Sequence, residues 1–226
     1  MKPIVLMTDS KPYKDERVEI IHLPFIKIAP LAVQTIRPQY DWLIFTSKNA
    51  VDVFFNQYKT THFSKIAAIG IKTSNYLEQL GIKVDFVPTQ FNQECFIEEM
   101  GDRFNQCTVC LPVSRKARPK LYNALKKDST VDRIDIYEPV PNDENINKAK
   151  ALILNQQIDW LTFLSPSSVT AFGNEILTNR VSVIAIGHVT SKALKDYEIH
   201  HYVSEQETKQ SIIDTIIKIE TERKGE

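Results

Sequence analysis

The chain repeats itself. Asp41-Trp42-Leu43-Ile44-Phe45-Thr46-Ser47 returns 118 residues later, from 41 to 159, as Asp159-Trp160-Leu161-Thr162-Phe163-Leu164-Ser165. Ala68-Ile69-Gly70-Ile71-Lys72-Thr73-Ser74 returns 117 residues later, from 68 to 185, as Ala185-Ile186-Gly187-His188-Val189-Thr190-Ser191. Each copy is a short apolar run, a hydroxyl-bearing turn and then a helical pattern, that is, strand, polar loop, helix. Such junctions leave backbone N–H groups free at the positive end of a helix dipole. Two half-proteins with two such junctions each could grip a multiply charged anion from both sides.

The rest of the chain extends the same plan. Short β-branched runs predict strands at Ile4–Met7, Glu19–Leu23, Leu43–Thr46, Ile66–Ile69, Val84–Val87, Thr108–Pro112, Arg133–Tyr137, Leu161–Leu164, Val183–Ile186 and His200–Val203. Helical stripes lie between most of them, over Asn49–Tyr58, Thr73–Leu80 and Ser211–Ile219. Alternating strand and helix predicts α/β domains, each a mostly parallel sheet covered on both faces. Each half is expected to open with strand, helix, strand, over about residues 3–28 and 108–138. Both openings end in Pro-marked segments, Ile26-Lys27-Ile28-Ala29-Pro30 and Ile136-Tyr137-Glu138-Pro139-Val140-Pro141. Proline favours extended chain before it, so residues 26–30 and 136–141 are the candidate linkers. A crossing at both gives one domain of residues 1–28 and 142–226 and an inserted one of 31–136. Tandem halves cut near residue 105 are the alternative.

With Lys plus Arg equal to Asp plus Glu, at 28 each, a general nucleic-acid binder is not expected. No stretch approaches a membrane span, and the start reads as a first strand rather than a signal peptide. A cytoplasmic protein is therefore expected, with Cys95, Cys107 and Cys110 as reduced thiols. Cys107 and Cys110 have redox-motif spacing, but residues three apart in a strand face opposite ways. They read as small buried hydrophobes.

Candidate binding residues cluster at strand-to-helix junctions: Thr46, Ser47, Lys48 and Asn49; Gly70, Thr73 and Ser74; Ser165, Ser167 and Ser168; Gly187, His188, Thr190 and Ser191. Plain capping explains any one of them, because Ser, Thr and Asn are favoured N-caps. Four at matched positions, all beyond the carboxyl ends of parallel strands, point to a ligand. Ser114-Arg115-Lys116-Ala117-Arg118-Pro119-Lys120 adds a cationic loop at another strand end. It reads either as a solvated loop or as a carboxylate or phosphate clamp through Ser114, Arg115 and Arg118. Neither glycine belongs to a dinucleotide or nucleoside triphosphate loop. No metal, Ser-His-Asp or Cys-His spacing stands out. Neither a cofactor nor a metal is expected. Asp41 and Asp159 lie at strand starts, away from the expected site, and read as structural.

Phe45-Thr46-Ser47-Lys48-Asn49-Ala50-Val51, Ala68-Ile69-Gly70-x-x-Thr73, Phe163-Leu164-Ser165-Pro166-Ser167-Ser168-Val169 and Ala185-Ile186-Gly187-x-x-Thr190-Ser191-x-Ala193-Leu194 together resemble the uroporphyrinogen-III synthase family. The resemblance implies two similar parallel-sheet α/β domains of flavodoxin-like type, joined by a two-stranded linker, and favours the inserted arrangement. It implies that linear hydroxymethylbilane loses water and closes, with its terminal pyrrole inverted, in a cleft between the domains. The substrate is a polycarboxylate linear tetrapyrrole. Membrane and nucleic acid are not expected partners; a monomer is expected, with transient contact to the preceding pathway enzyme. By resemblance Tyr137 matches a tyrosine proposed to assist hydroxyl departure, and Ser47, Thr73, Ser165 and Thr190 match pocket hydroxyls. Asn49 and Ser182 stand where some relatives carry Arg and Lys, which fits a pocket built on backbone N–H groups and hydroxyls. A non-catalytic binding module and a phosphosugar enzyme are the rival readings.

Overall fold

The computed structural model describes residues 2–173 and 181–225. In chain order its strands are β1 (Ile4–Met7), β2 (Glu19–His22), β3 (Ile26–Pro30), β4 (Gln39–Phe45), β5 (His62–Ala68), β6 (Thr108–Ser114), β7 (Thr130–Pro141), β8 (Trp160–Phe163), β9 (Ser182–Ala185) and β10 (Tyr202–Val203). Its helices are α1 (Lys48–Gln57), α2 (Ile71–Gln79), α3 (Gln93–Glu99), α4 (Lys120–Leu125), α5 (Asp143–Leu154), α6 (Pro166–Phe172), α7 (His188–Asp196) and α8 (Lys209–Gly225). The chain forms two compact units, Met1–Lys27 with Val140–Glu226, and Ile28–Pro139.

The first unit holds a five-stranded parallel sheet in the order β10-β9-β8-β1-β2. Successive side chains in a strand face opposite ways, and both faces are apolar. Leu6, Leu161, Phe163, Val183 and Ala185 pack on Ile146, Ala149 and Ile153 of α5, Val169 and Phe172 of α6 and Leu194 of α7. Val5, Met7, Trp160 and Ile184 pack on Ile212, Ile213 and Ile216 of α8. The second unit has the order β3-β7-β6-β4-β5, with β4, β5, β6 and β7 parallel. Leu43, Phe45, Ile66 and Ala68 face α1 and α2, while Trp42, Ile44, Val109 and Leu111 face Phe96 of α3 and Leu121 and Leu125 of α4. Cys110 points into the first of these layers and Cys107 against the second, as their spacing in a strand requires.

Counted within each unit, four neighbouring strands run 2-1-3-4 in both: β2-β1-β8-β9 in the first and β5-β4-β6-β7 in the second. That is the flavodoxin-like order, and it reverses between its strands 1 and 3. The reversal falls between β1 and β8 in one unit and between β4 and β6 in the other.

The repeated aspartates join the amino ends of those strand pairs. The Asp41 carboxylate accepts the Thr108 N–H and hydroxyl, both at 2.7 Å, and the Asp159 carboxylate accepts the Ile4 N–H at 2.7 Å. The Thr108 hydrogen bonds hold the Asp41 carboxyl below its usual 3.8. A depressed folded pKa gives stability that is full above the unfolded value and lost as pH falls through the folded one. Between about pH 5 and pH 2 the wild type should therefore lose more stability than Asp41→Asn, as read by denaturant unfolding at each pH. Equal losses would remove this role.

Two expected elements are absent. No helix joins β1 to β2; residues 8–18 form turns and irregular chain. Asp9-Ser10-Lys11-Pro12 carries no apolar stripe, the Lys11 N–H bonds the Asp9 carboxylate at 3.2 Å, and Pro12 breaks helical bonding. The segment is instead tied to α8, through Asp9–Lys209 at 2.5 Å, Tyr13–Gln210 at 2.7 Å and Arg17–Asp214 at 2.8 Å. The strand expected at Val84–Val87 is reduced to one bridge, Ala67 to Phe86. There the Asp85 side chain accepts the Ile66 N–H at 3.0 Å, taking the place of a ladder carbonyl.

Candidate active site at the carboxyl ends of the strands

The four junctions fall into two chemical kinds. Ser47 and Ser165 are true caps. Ser47, extended at φ −158°, accepts the Ala50 N–H on Oγ, and Ser165, at φ −160°, accepts the Ser168 N–H on Oγ. Ser165 Oγ also lies 3.0 Å from Ser167 Oγ, and the Ser168 hydroxyl donates to the Ser165 carbonyl at 2.7 Å. Simple capping accounts for much of what these serines do.

Gly70 and Gly187 cap α2 and α7 with no side-chain bond. The first N–H groups of those helices therefore lack the partner a Ser or Asp cap would supply. Thr73 and Ser74, and Thr190 and Ser191, sit buried in the first turns. His188 and the pair Lys48 and Asn49 lie exposed at the starts of α7 and α1.

Tyr137 is brought to the α1 start from 90 residues away. Its Oη stands 2.9 Å from Ser47 Oγ, and either oxygen can donate. Its ring is buried in the layer under α1. Its carbonyl accepts the Arg115 N–H at 2.9 Å, and a register irregularity between Val113 and Ser114 sets Ser114 opposite Tyr137. Four candidates, Ser47, Ser114, Arg115 and Tyr137, thus meet at the end of the second unit's sheet. The Arg115 guanidinium is already paired with Glu138 at 3.2 Å.

Three neighbours of these residues escaped the sequence reading. Lys48 Nζ sits 4.0 Å from the centre of the Tyr76 ring, and the Tyr76 hydroxyl donates to Asp52. That bond, with Asp52 alongside, holds the Tyr76 hydroxyl above its usual pKa of 10.0. A cation is therefore held above an aromatic face between the starts of α1 and α2. His201 Nδ1 lies 2.7 Å from the Ile199 carbonyl and His201 Nε2 lies 2.8 Å from Ser191 Oγ. A carbonyl only accepts, so Nδ1 carries the proton. With the ring neutral, the Ser191 hydroxyl then donates to Nε2 and presents only lone pairs elsewhere. Glu207 lies against Gly187, where a Cβ would stand 2.2 Å from its carboxylate oxygen. The glycine thus makes room for an acid side chain of the chain itself beside the start of α7. The signals for all three were tertiary, since each pair is brought together by folding.

Among the described residues no three His, Cys, Asp or Glu side chains gather as a metal site would require. No helix among them is long and apolar enough to cross a membrane.

Two sheets that share one four-strand order, each with a hydroxyl-capped and a glycine-capped helix start at its carboxyl end, define a duplicated α/β protein. The chain belongs to the uroporphyrinogen-III synthase family: residues 10–214 match the family model described as uroporphyrinogen-III synthase HemD. It is 26% identical over 222 residues to the porphyrin biosynthesis protein HemD of Ruminiclostridium josui, covering 93% of this chain and 44% of that protein. It thus spans less than half the length of that relative. It is 29% identical over 196 residues to a putative uroporphyrinogen-III synthase of Methanothermobacter thermautotrophicus, covering 77% of this chain and 76% of the relative. Among solved structures, uroporphyrinogen-III synthetase from Helicobacter pylori superposes with a TM-score of 0.62 at 17% identity, over 97% of this chain and 100% of that one. A mutant uroporphyrinogen III synthase from Thermus thermophilus gives 0.51 at 18% identity, over 98% and 100%. At these identities the structures establish the fold.

Proposed function

We propose that the chain catalyses the family reaction without a cofactor: hydroxymethylbilane loses water and closes, with its terminal pyrrole inverted, as uroporphyrinogen III. The observation that carries this is the pair of glycine-capped helix starts, joined by buried Thr73, Ser74, Thr190 and Ser191. Their open backbone N–H groups offer neutral, preorganised donors to a substrate bearing eight carboxylates, while the Ser191 hydroxyl is spent on His201. The substrate closes unaided to the uninverted isomer, so the protein has to hold one geometry more than it has to supply a strong acid. Orientation of that kind can be worth roughly 7–11 kcal/mol. Loss of hydroxide leaves a cationic azafulvene, and attack through the substituted carbon gives a spiro intermediate. Tyr137 donates the proton with which the hydroxyl leaves as water and is reprotonated when the last pyrrole to bond loses its ring-carbon proton, and fixed dipoles together with the substrate's own carboxylates stabilise the cation. The protein works as a cytoplasmic monomer.

The test is incubation with enzymatically generated hydroxymethylbilane, followed by oxidation and separation of the isomers. The type III isomer in excess is expected. Type I product alone would end the proposal. Glu207 supplies a second expectation: its carboxylate beside Gly187 competes with a substrate carboxylate for the start of α7. Glu207→Gln should lower KM about two- to threefold with kcat little changed, on the scale of a single charge at a helix terminus. A raised KM would instead make Glu207 part of the binding surface.

A further inference from the structure

We propose that Arg118, Gln93 and Thr46 form a subsite in the second unit that takes one carboxylate arm of the substrate; it rests on the tetrapyrrole reaction proposed above. A cavity of about 10 Å³ lies where β4 and β6 end, lined by Thr46, Gln93, Val113, Ala117, Arg118 and Tyr122 among others. Those two strands flank the point where the strand order of this sheet reverses, the position at which open α/β sheets bind their ligands. The cavity has room for about one oxygen-sized group.

Two of its walls carry polar groups left without partners. Gln93 Oε1 is buried and accepts no hydrogen bond. Buried polar atoms are almost always paired, and an exception needs an account. The amide can turn about its last bond to offer its N–H instead, so it can serve an incoming acceptor. Arg118 is the second; it is exposed at the cavity mouth and solvated, but has no protein partner among the described residues. The charges around it are engaged: Arg115 with Glu138 at 3.2 Å, Arg133 with Asp135 at 3.1 Å, Lys120 with Glu94 at 2.8 Å. Arg133 also donates to the Ala117 carbonyl at 3.3 Å. Glu94, the acid that feels the field of Arg118, is held below its usual pKa first by its bond to Lys120. Among the described residues no carboxylate lies within ion-pair distance of Arg118. A guanidinium fork, an amide and the Thr46 hydroxyl on one water-sized cavity suit a planar carboxylate. One oxygen enters, and the other stays at the mouth with the guanidinium.

The decisive experiment is steady-state kinetics of type III formation by full-length Arg118→Gln, Arg118→Lys and Lys116→Ala, each first shown to melt like the wild type. Lys116 is a neighbouring cation outside the cavity and controls for the loss of one charge. Arg118→Gln should raise KM roughly tenfold, the loss of one good charge-assisted contact. Its kcat should stay within about threefold, and the salt dependence of KM should become shallower. Arg118→Lys should recover part of the loss, and Lys116→Ala should stay within about twofold. A KM for Arg118→Gln equal to that of Lys116→Ala would overturn the subsite. If the wild type makes no type III product, the proposed reaction falls, and calorimetric titration with uroporphyrin III decides the subsite separately. Weaker binding by Arg118→Gln than by Lys116→Ala would uphold it, and equal binding would overturn it.

Discussion

Replacing Tyr137 by phenylalanine is expected to lower turnover at least tenfold, about 1.4 kcal/mol of transition-state stabilisation, while the protein stays folded. The ring is buried in the layer under α1, and phenylalanine keeps that packing. What goes is the hydroxyl 2.9 Å from Ser47 Oγ. Ser47 retains its bond from the Ala50 N–H, so α1 keeps its cap. Ser47→Ala would behave differently, costing about 1 kcal/mol of stability through the lost cap. The comparison separates a chemical part for Tyr137 from a packing one. A fall in kcat without a fall in melting temperature supports the proton donor; near-normal turnover would take that part away from Tyr137.

Trp160→Ala should have the largest effect on stability, a loss of roughly 3–5 kcal/mol, typical of removing a fully buried tryptophan. The side chain is wholly buried under α8. Its indole N–H donates to Glu220 at 3.0 Å, its ring lies 5.4 Å from Tyr202, and the Arg223 guanidinium sits 5.3 Å from its centre. Removing it opens a cavity and leaves the Glu220 carboxylate without this donor. Denaturant unfolding measures the change; a loss under about 1 kcal/mol would mean that the packing under α8 collapses freely into the gap.

The repeat made much of this legible. Asp41-Trp42 and Asp159-Trp160 announce strands whose aspartates fasten a neighbouring strand and whose tryptophans fill the layer beneath. Both motifs lie on neighbouring residues, so the sequence carries them openly. The Ser- and Gly-capped helix starts were equally visible, because a cap is local chemistry. Which residue holds the cap position was not visible: the sequence offered Thr73, Ser74, Thr190 and Ser191 as caps, and the structure puts Gly70 and Gly187 there, with the hydroxyl residues inside the first turns. Residues 9–17 misled, because the symmetry of the repeat suggested a helix where Pro12 and the Asp9 turn prevent one. Tyr76 under Lys48, His201 behind Ser191 and Glu207 against Gly187 were illegible for another reason. Each pairing depends on which side chains folding brings together.

Main-chain N–H groups at the starts of α2 and α7 are proposed to bind carboxylates of the tetrapyrrole. Amide chemical shifts of the labelled protein, followed during titration with uroporphyrin III, test it most directly. The amides of Ile71, Lys72, His188 and Val189 are expected to move downfield together and to saturate at one ligand per chain. Unmoved amides at both helix starts, in a protein that still makes the type III isomer, would contradict it.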